Sequence, residues 1–127
     1  MEIATERQVI RVFLVDDNRF FLEGLTLLLE RQGDFKVVGV SPRGKGLLRR
    51  LARVRPDVVL LDVCLEDING LTVLQGIVRE LRTPVVMISV YEEYKEQALK
   101  SGAFAYLVKG GDPLELYQVL REAARRK

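Results

Sequence analysis

At 127 residues the chain has the size of one ordinary domain, and its 48% hydrophobic and 30% charged residues support a packed core and exclude intrinsic disorder. Twenty Lys and Arg against eighteen Asp and Glu leave a net charge of +2, too balanced to announce a nucleic-acid or membrane surface. A single cysteine excludes an intramolecular disulfide and fits a reducing compartment, and the lack of histidine excludes His-built zinc sites and catalytic triads.

Residues 1–7 read as a polar leader with no secretory signal, and no apolar run approaches the roughly 18 to 20 residues of a membrane span. From residue 8 to 127, five short apolar runs alternate with five helical segments. The first strand is expected over Ile10 to Val15, followed by a helix whose Leu25, Leu28 and Leu29 share a face. The second run is Phe35 to Val40, before a helix carrying Leu47, Leu48 and Leu51. The third is Val58 to Leu61, before a helix with Leu74, Ile77, Val78 and Leu81 on its inner side. Val85 to Ile88 makes the fourth run. The helix after it, Glu92 to Lys100, is the weakest, with Ala98 and Leu99 its clearly apolar residues and Ser101-Gly102 as its stop. Phe104 to Val108 is the fifth run. The last helix is well signed: Asp112 as cap, Pro113 at the first helical position, Glu115 placed for a capping box, then Tyr117, Leu120 and Ala124 as a buried stripe.

Several runs are unbroken by polar residues, as parallel strands covered on both faces require. Regular βα alternation with short connections therefore implies one α/β domain, a doubly wound sheet of five parallel strands with five helices. In such a sheet, ligands bind beyond the carboxyl ends of the strands. Asp16 and Asp17 follow the first run, Asp62 the third, Ser89 the fourth and Lys109 the fifth; only the second is followed by a less telling residue, Ser41. Any one of these alone would be a turn, a cap or a surface charge. Together they form a coherent inventory. Three carboxylates repel one another unless a cation relieves them, and Mg²⁺ takes oxygen ligands while keeping waters that a phosphate oxygen can replace. One carboxylate can then attack phosphorus, with the lysine ammonium and serine hydroxyl holding the remaining phosphoryl oxygens.

With those residues in view, residues 8 to 127 resemble the CheY-like receiver domain of two-component response regulators. The matching stretches are Val12-Phe-Leu-Val-Asp-Asp17, Pro56-Asp-Val-Val-Leu-Leu-Asp62, Gly70, Pro84-Val-Val-Met-Ile-Ser89, Ser101-Gly102-Ala103 and Tyr106-Leu-Val-Lys109. The resemblance implies a flavodoxin-like fold and Mg²⁺-dependent acceptance of a phosphoryl group by Asp62 from a sensor histidine kinase. It implies Asp17 and Asp62 as direct metal ligands, Asp16 acting through water, and Cys64 contributing its backbone carbonyl. Ser89 and Lys109 would contact the phosphoryl group, and Tyr106 would be the aromatic switch that turns inward as the Ser89 hydroxyl moves. Such a domain catalyses only its own phosphorylation and dephosphorylation, in the cytoplasm. It would form homodimers or meet output partners through the Glu92–Lys100 helix, the fifth strand and the last helix, or through other helices.

Phe35 to Gly39, Ile88-Ser89-Val90 and Asp112-Pro-Leu-Glu-Leu resemble the NarL/FixJ (LuxR-type) subfamily, whose receivers are followed by a helix-turn-helix domain. DNA contact would belong to that separate domain. The sequence differs from the common pattern in having Leu65-Glu66 for Met-Pro, Gly110-Gly111 after the lysine, and the bulkier Val90. These differences sustain an alternative, a degenerate receiver acting as a phosphorylation-independent binding module. A phosphatase working through an aspartyl intermediate is less suited, because Cys64 stands where a general acid is needed.

Two further patterns compete for attention. Gly39-Val-Ser-Pro-Arg-Gly44-Lys45-Gly46 nearly spells a phosphate-binding loop, but Gly46 replaces the metal-binding hydroxyl and Pro42 removes a donor, so a plain βα loop is preferred. Arg49, Arg50, Arg53 and Arg55 lack interleaved aromatics and read as a solvated helix face. Cys64 is either a small buried residue or a thiol near the acceptor, the inert reading being preferred because nearby carboxylates raise its pKa, and Tyr91 and Tyr94 are expected to be partly exposed.

Overall fold

The computed structural model describes residues 8–126; the polar leader over residues 1–7 and the final Lys127 lie outside the described residues. The elements in chain order are β1 (Ile10–Val15), α1 (Arg19–Glu30), β2 (Phe35–Ser41), α2 (Leu47–Val54), β3 (Val58–Asp62), α3 (Gly70–Glu80), β4 (Val85–Ser89), α4 (Lys95–Lys100), β5 (Ala105–Val108) and α5 (Pro113–Arg125). The strands form one parallel sheet in the order β2-β1-β3-β4-β5.

Strand alternation divides the core into two layers. Val12, Leu14, Val58, Leu60, Val86 and Ile88 face α1 and α5, where Leu25, Leu29, Tyr117 and Leu120 cover them. Phe13, Val15, Val59, Leu61, Val85 and Met87 face the other side, under Leu47, Leu51, Leu74, Ile77 and Ala98. Both faces of the three central strands are thus dry, which is why their sequences are continuous apolar runs. The order of connections reverses between β1 and β3, and the carboxyl ends of those two adjacent strands open the crevice where a doubly wound sheet binds its ligand.

The structure corrects several helix details. In Leu27-Leu28-Leu29 only Leu29 reaches the sheet, because successive helical residues turn by about 100°; Leu28 is 42% exposed and Leu22 completes the buried face with Leu25. On α3, Leu71, Val73, Leu74 and Ile77 are buried, whereas Val78 sits on the flank. On α5 the stripe is Tyr117, Leu120 and Ala123, with Ala124 only half-buried. Helix α4 begins at Lys95, since the polar Glu92-Glu93 stretch offers nothing to bury and forms a turn instead. At α5, Asp112 Oδ1 accepts from Leu114 N at 2.9 Å behind Pro113, as the cap signature predicts.

Candidate functional site

Asp16 and Asp17 leave the end of β1, and Asp62 is the last residue of β3, its neighbour in the sheet. One carboxylate oxygen from each lies within 4.8 Å of the others, and among the described residues this is the group able to hold a metal ion. Asp16 and Asp62 are buried and Asp17 is half-buried. Asn18 N donates to Asp16 Oδ1 at 2.8 Å and Cys64 N to Asp62 Oδ1 at 3.1 Å, which fixes both carboxylates by local turns.

Lys109, just past β5, enters the same cluster. Its Nζ lies 2.6 Å from Asp16 Oδ2 and donates to Asp62 Oδ2 at 3.1 Å. Its backbone N–H donates to Ser89 O at 2.8 Å, so β4 anchors the lysine in place. Gly110 follows at φ +89°, a conformation that L side chains rarely adopt, so the glycine there gives the chain its turn away from the site. Three carboxylates face one ammonium. Burial, followed by the charge of Asp16, raises the Asp62 carboxyl above its usual range, against the Cys64 amide bond and the Lys109 ammonium, which lower it. For Lys109, burial acts to lower the ammonium's pKa but is outweighed by Asp16 and Asp62, and the net shift is upward.

This donor set fits a hard divalent cation. Asp16 Oδ2 is buried and faces the Lys109 ammonium at 2.6 Å, an oxygen that a cation can share. Asp17 supplies a further carboxylate at the half-open side. Glu66 remains exposed and outside the cluster.

The loop after β3 is held tightly. Cys64 bridges to Asn69, whose side chain caps α3 through Leu71 N at 2.8 Å. A Cβ on Gly70 would come within 2.2 Å of the Asp62 carbonyl oxygen, so glycine is required where the helix start passes the end of β3. Sequence reasoning missed the next contact. The Asp67 carboxylate accepts from Gly44 N at 2.9 Å and from Lys45 N at 2.9 Å, and those amide bonds hold its pKa below the usual carboxylate range. Two amides of the phosphate-loop lookalike, those of Gly44 and Lys45, are therefore already occupied by an internal carboxylate, which joins the β2–α2 loop to the loop after β3.

Cys64 is exposed, so the expectation of a small buried residue does not hold; desolvation at the pocket rim and then the Asp62 charge push its thiol pKa up, in keeping with an inert thiol. Ser89 is fully buried and its Oγ accepts from Tyr91 N at 3.1 Å. Tyr106, 6% exposed, points inward, and its hydroxyl donates to the Tyr91 carbonyl. Tyr91 is exposed and Tyr94 half-buried, their rings meeting edge to face at 6.2 Å. Val90 is 61% exposed. Arg50, on the basic helix, donates to Val40 O at 2.8 Å and lies over the Phe13 ring, while Arg49, Arg53 and Arg55 are exposed.

The structure thus gathers Asp16, Asp17, Asp62 and Lys109 around one point, with Cys64 on the loop after β3 and Ser89 and Tyr106 on the neighbouring strands. Comparison with known proteins gives the family. The response regulator receiver domain family matches residues 12–121. The transcriptional regulatory protein LiaR of Bacillus subtilis is 32% identical over 120 residues, covering 92% of this chain and 57% of LiaR. An uncharacterized response regulatory protein of Vibrio cholerae is 31% identical over 93% of this chain and 50% of its own length. The chain therefore spans about half the length of these curated relatives. Among solved structures, the signal receiver domain of the putative response regulator NarL from Mycobacterium tuberculosis superposes with a TM-score of 0.86 at 30% identity, covering 94% of this chain and 99% of that one. The response regulator domain of Thermotoga maritima CheB gives 0.84 at 29% identity over 93% and 98%. This chain belongs to the response regulator receiver domain family of two-component systems.

Proposed function

We propose that Asp62 accepts a phosphoryl group from the phosphohistidine of a sensor histidine kinase. The observation that carries this reading is the meeting of Asp62, Asp16 and Lys109 at contacts of 3.1 and 2.6 Å, from strands far apart in sequence. An Asp62 carboxylate oxygen attacks phosphorus, the P–N bond to the donor imidazole breaks, and its electron pair leaves with the imidazole nitrogen, which takes up a proton. Asp17 and Asp62 would hold Mg²⁺ directly, with the Cys64 carbonyl as a further ligand and Asp16 acting through water. Bound there, the ion supplies positive charge against the carboxylates and the incoming phosphoryl oxygens. Lys109 and the Ser89 hydroxyl contact the phosphoryl oxygens of the product.

The new charge at Asp62, about −1.5 to −2, draws Ser89 inward and away from Tyr91 N. The Tyr106 ring already points inward before any transfer, contrary to the expectation that it turns inward with Ser89, so the loss of the Ser89–Tyr91 bond would instead free the loop that carries its Tyr91 acceptor, and the surface of α4, β5 and α5 would change shape with that loop. That surface would mediate homodimerisation or output contacts, and helix-turn-helix control of transcription would lie in a separate domain. LiaR, a transcriptional regulatory protein, supports such an output; a relative from Geobacillus kaustophilus, 36% identical over 121 residues, is a protein-glutamate methylesterase, so outputs on related receivers vary. Within this chain the chemistry would be limited to its own phosphorylation and dephosphorylation, in the cytoplasm. No described helix is long and apolar enough to cross a membrane.

Incubation with acetyl phosphate and Mg²⁺ followed by intact-protein mass tests the reading. One added phosphoryl group is expected in the parent and none in Asp62→Asn. Addition to both proteins, or to neither, would overturn it, and the second result combined with no metal binding would favour the phosphorylation-independent binding module.

A further inference from the structure

The Phe21 ring, in the first turns of α1, faces Lys109 with its centroid 4.4 Å from Nζ. Phe21 is half-buried and packs on the α1–α5 layer of the core, so its ring is held by its neighbours. The Lys109 side chain is 15% exposed and its ammonium meets two carboxylates, those of Asp16 and Asp62, and this ring. Its backbone is pinned to Ser89, and the ammonium at the end of the long flexible stem is steered by Asp16, Asp62 and the Phe21 ring.

Two of those contacts are carboxylates, and one of them is the group that reacts. Once an Asp62 oxygen is bonded to phosphorus, its share of the attraction for Lys109 passes to the phosphoryl oxygens. The Phe21 ring carries no ionisable group, so its attraction for a cation over its face is the same before and after transfer. We propose that Phe21 is a positioning residue for the reaction, its ring face holding the Lys109 ammonium beside the acceptor through both states.

This inference rests on Asp62 being the phosphoacceptor. The test uses Phe21→Leu, which keeps apolar bulk and removes the ring, and Phe21→Tyr, which keeps the ring. In the protein without phosphate donor, NMR of the Lys109 ε-methylene protons should show an upfield ring-current shift that Phe21→Tyr keeps and Phe21→Leu abolishes. Phosphorylation by acetyl phosphate with Mg²⁺ should slow by about fivefold in Phe21→Leu and stay near the parent rate in Phe21→Tyr. In a Lys109→Ala background, Phe21→Leu should add no further loss, since two residues acting through one contact are not additive.

An unshifted Lys109 in the parent, an unchanged rate in Phe21→Leu, or an equal loss in the Lys109→Ala background would overturn the inference. If the parent takes no phosphoryl group at all, the reading of Asp62 fails instead, and the NMR shift still decides whether the ring holds the lysine.

Discussion

The Tyr106 hydroxyl donates to the backbone carbonyl of Tyr91, fifteen residues upstream, and so ties β5 to the loop that follows β4. The ring is thereby held inward while Ser89 Oγ is still engaged by Tyr91 N, so both halves of the proposed switch converge on one residue of that loop.

Tyr106→Phe removes this bond and leaves the Tyr91 carbonyl to water, with an expected loss of about 1 kcal/mol in denaturant unfolding. The same contact shows in the alkaline range. Burial raises the Tyr106 pKa above that of an ordinary tyrosine. A raised folded-state pKa means stability present below the unfolded value and lost as pH rises through the folded one. Near-ultraviolet titration should therefore show a late-ionising tyrosine that Tyr106→Phe deletes, with unfolding setting in as it ionises.

Asp62 follows the same sign. Burial, then the Asp16 charge, keeps its folded pKa raised, so its ionised form opposes folding at neutral pH when no cation is bound. In the presence of a chelator, Asp62→Asn should raise the melting temperature by roughly 4 °C, corresponding to about 1 kcal/mol. The parent should gain stability on mild acidification through the raised pKa, and the variant should lose that gain. A melting temperature lower than the parent's would show that the Lys109 pair outweighs desolvation.

Metal binding should be visible as stabilisation. Saturating Mg²⁺ at about one hundred times its Kd should add roughly 2.7 kcal/mol to the parent. Asp17→Ala should remove most of that gain while leaving the apo fold intact, because Asp17 is half-buried and lies beyond the end of β1. Calorimetric melts with and without Mg²⁺ make the comparison.

Asp67 should act as a fastener between two loops. In Asp67→Ala the Gly44 and Lys45 amides lose their acceptor, and their hydrogen exchange should accelerate to the rate of an open loop. Because those amides lower the Asp67 pKa, the contact is present above the ordinary carboxylate pKa and is lost as pH falls through the lower folded value. Protection of both amides should therefore persist through neutral and mildly acidic conditions.

What the sequence disclosed depended on where the signal lay. The strands were legible because parallel strands with two dry faces are written as unbroken apolar runs, and β1 matches its expected limits residue for residue. The polar residues at strand ends were legible because sheet geometry makes every strand's end part of one edge, so Asp16, Asp17, Asp62 and Lys109 could be placed together before any coordinates. Leu28 and Val78 were misplaced because hydrophobicity alone does not choose among adjacent apolar residues on a helix; the sheet does. The Asp67 fastener left no trace, since its partners are backbone amides 22 and 23 residues upstream, and every residue type but proline supplies those. The Phe21–Lys109 contact likewise depends on α1 and β5 being brought together by the whole fold.

The most direct measurement is the position of the phosphoryl group. After phosphorylation with Mg²⁺ present, borohydride reduces an aspartyl phosphate to homoserine, and peptide mass mapping then reads the modified residue. Homoserine at position 62, with Asp16 and Asp17 unaltered, is the expected result. Homoserine at either of the other aspartates, or a phosphorylated protein with Asp62 unmodified, would contradict the assignment of Asp62 as the acceptor.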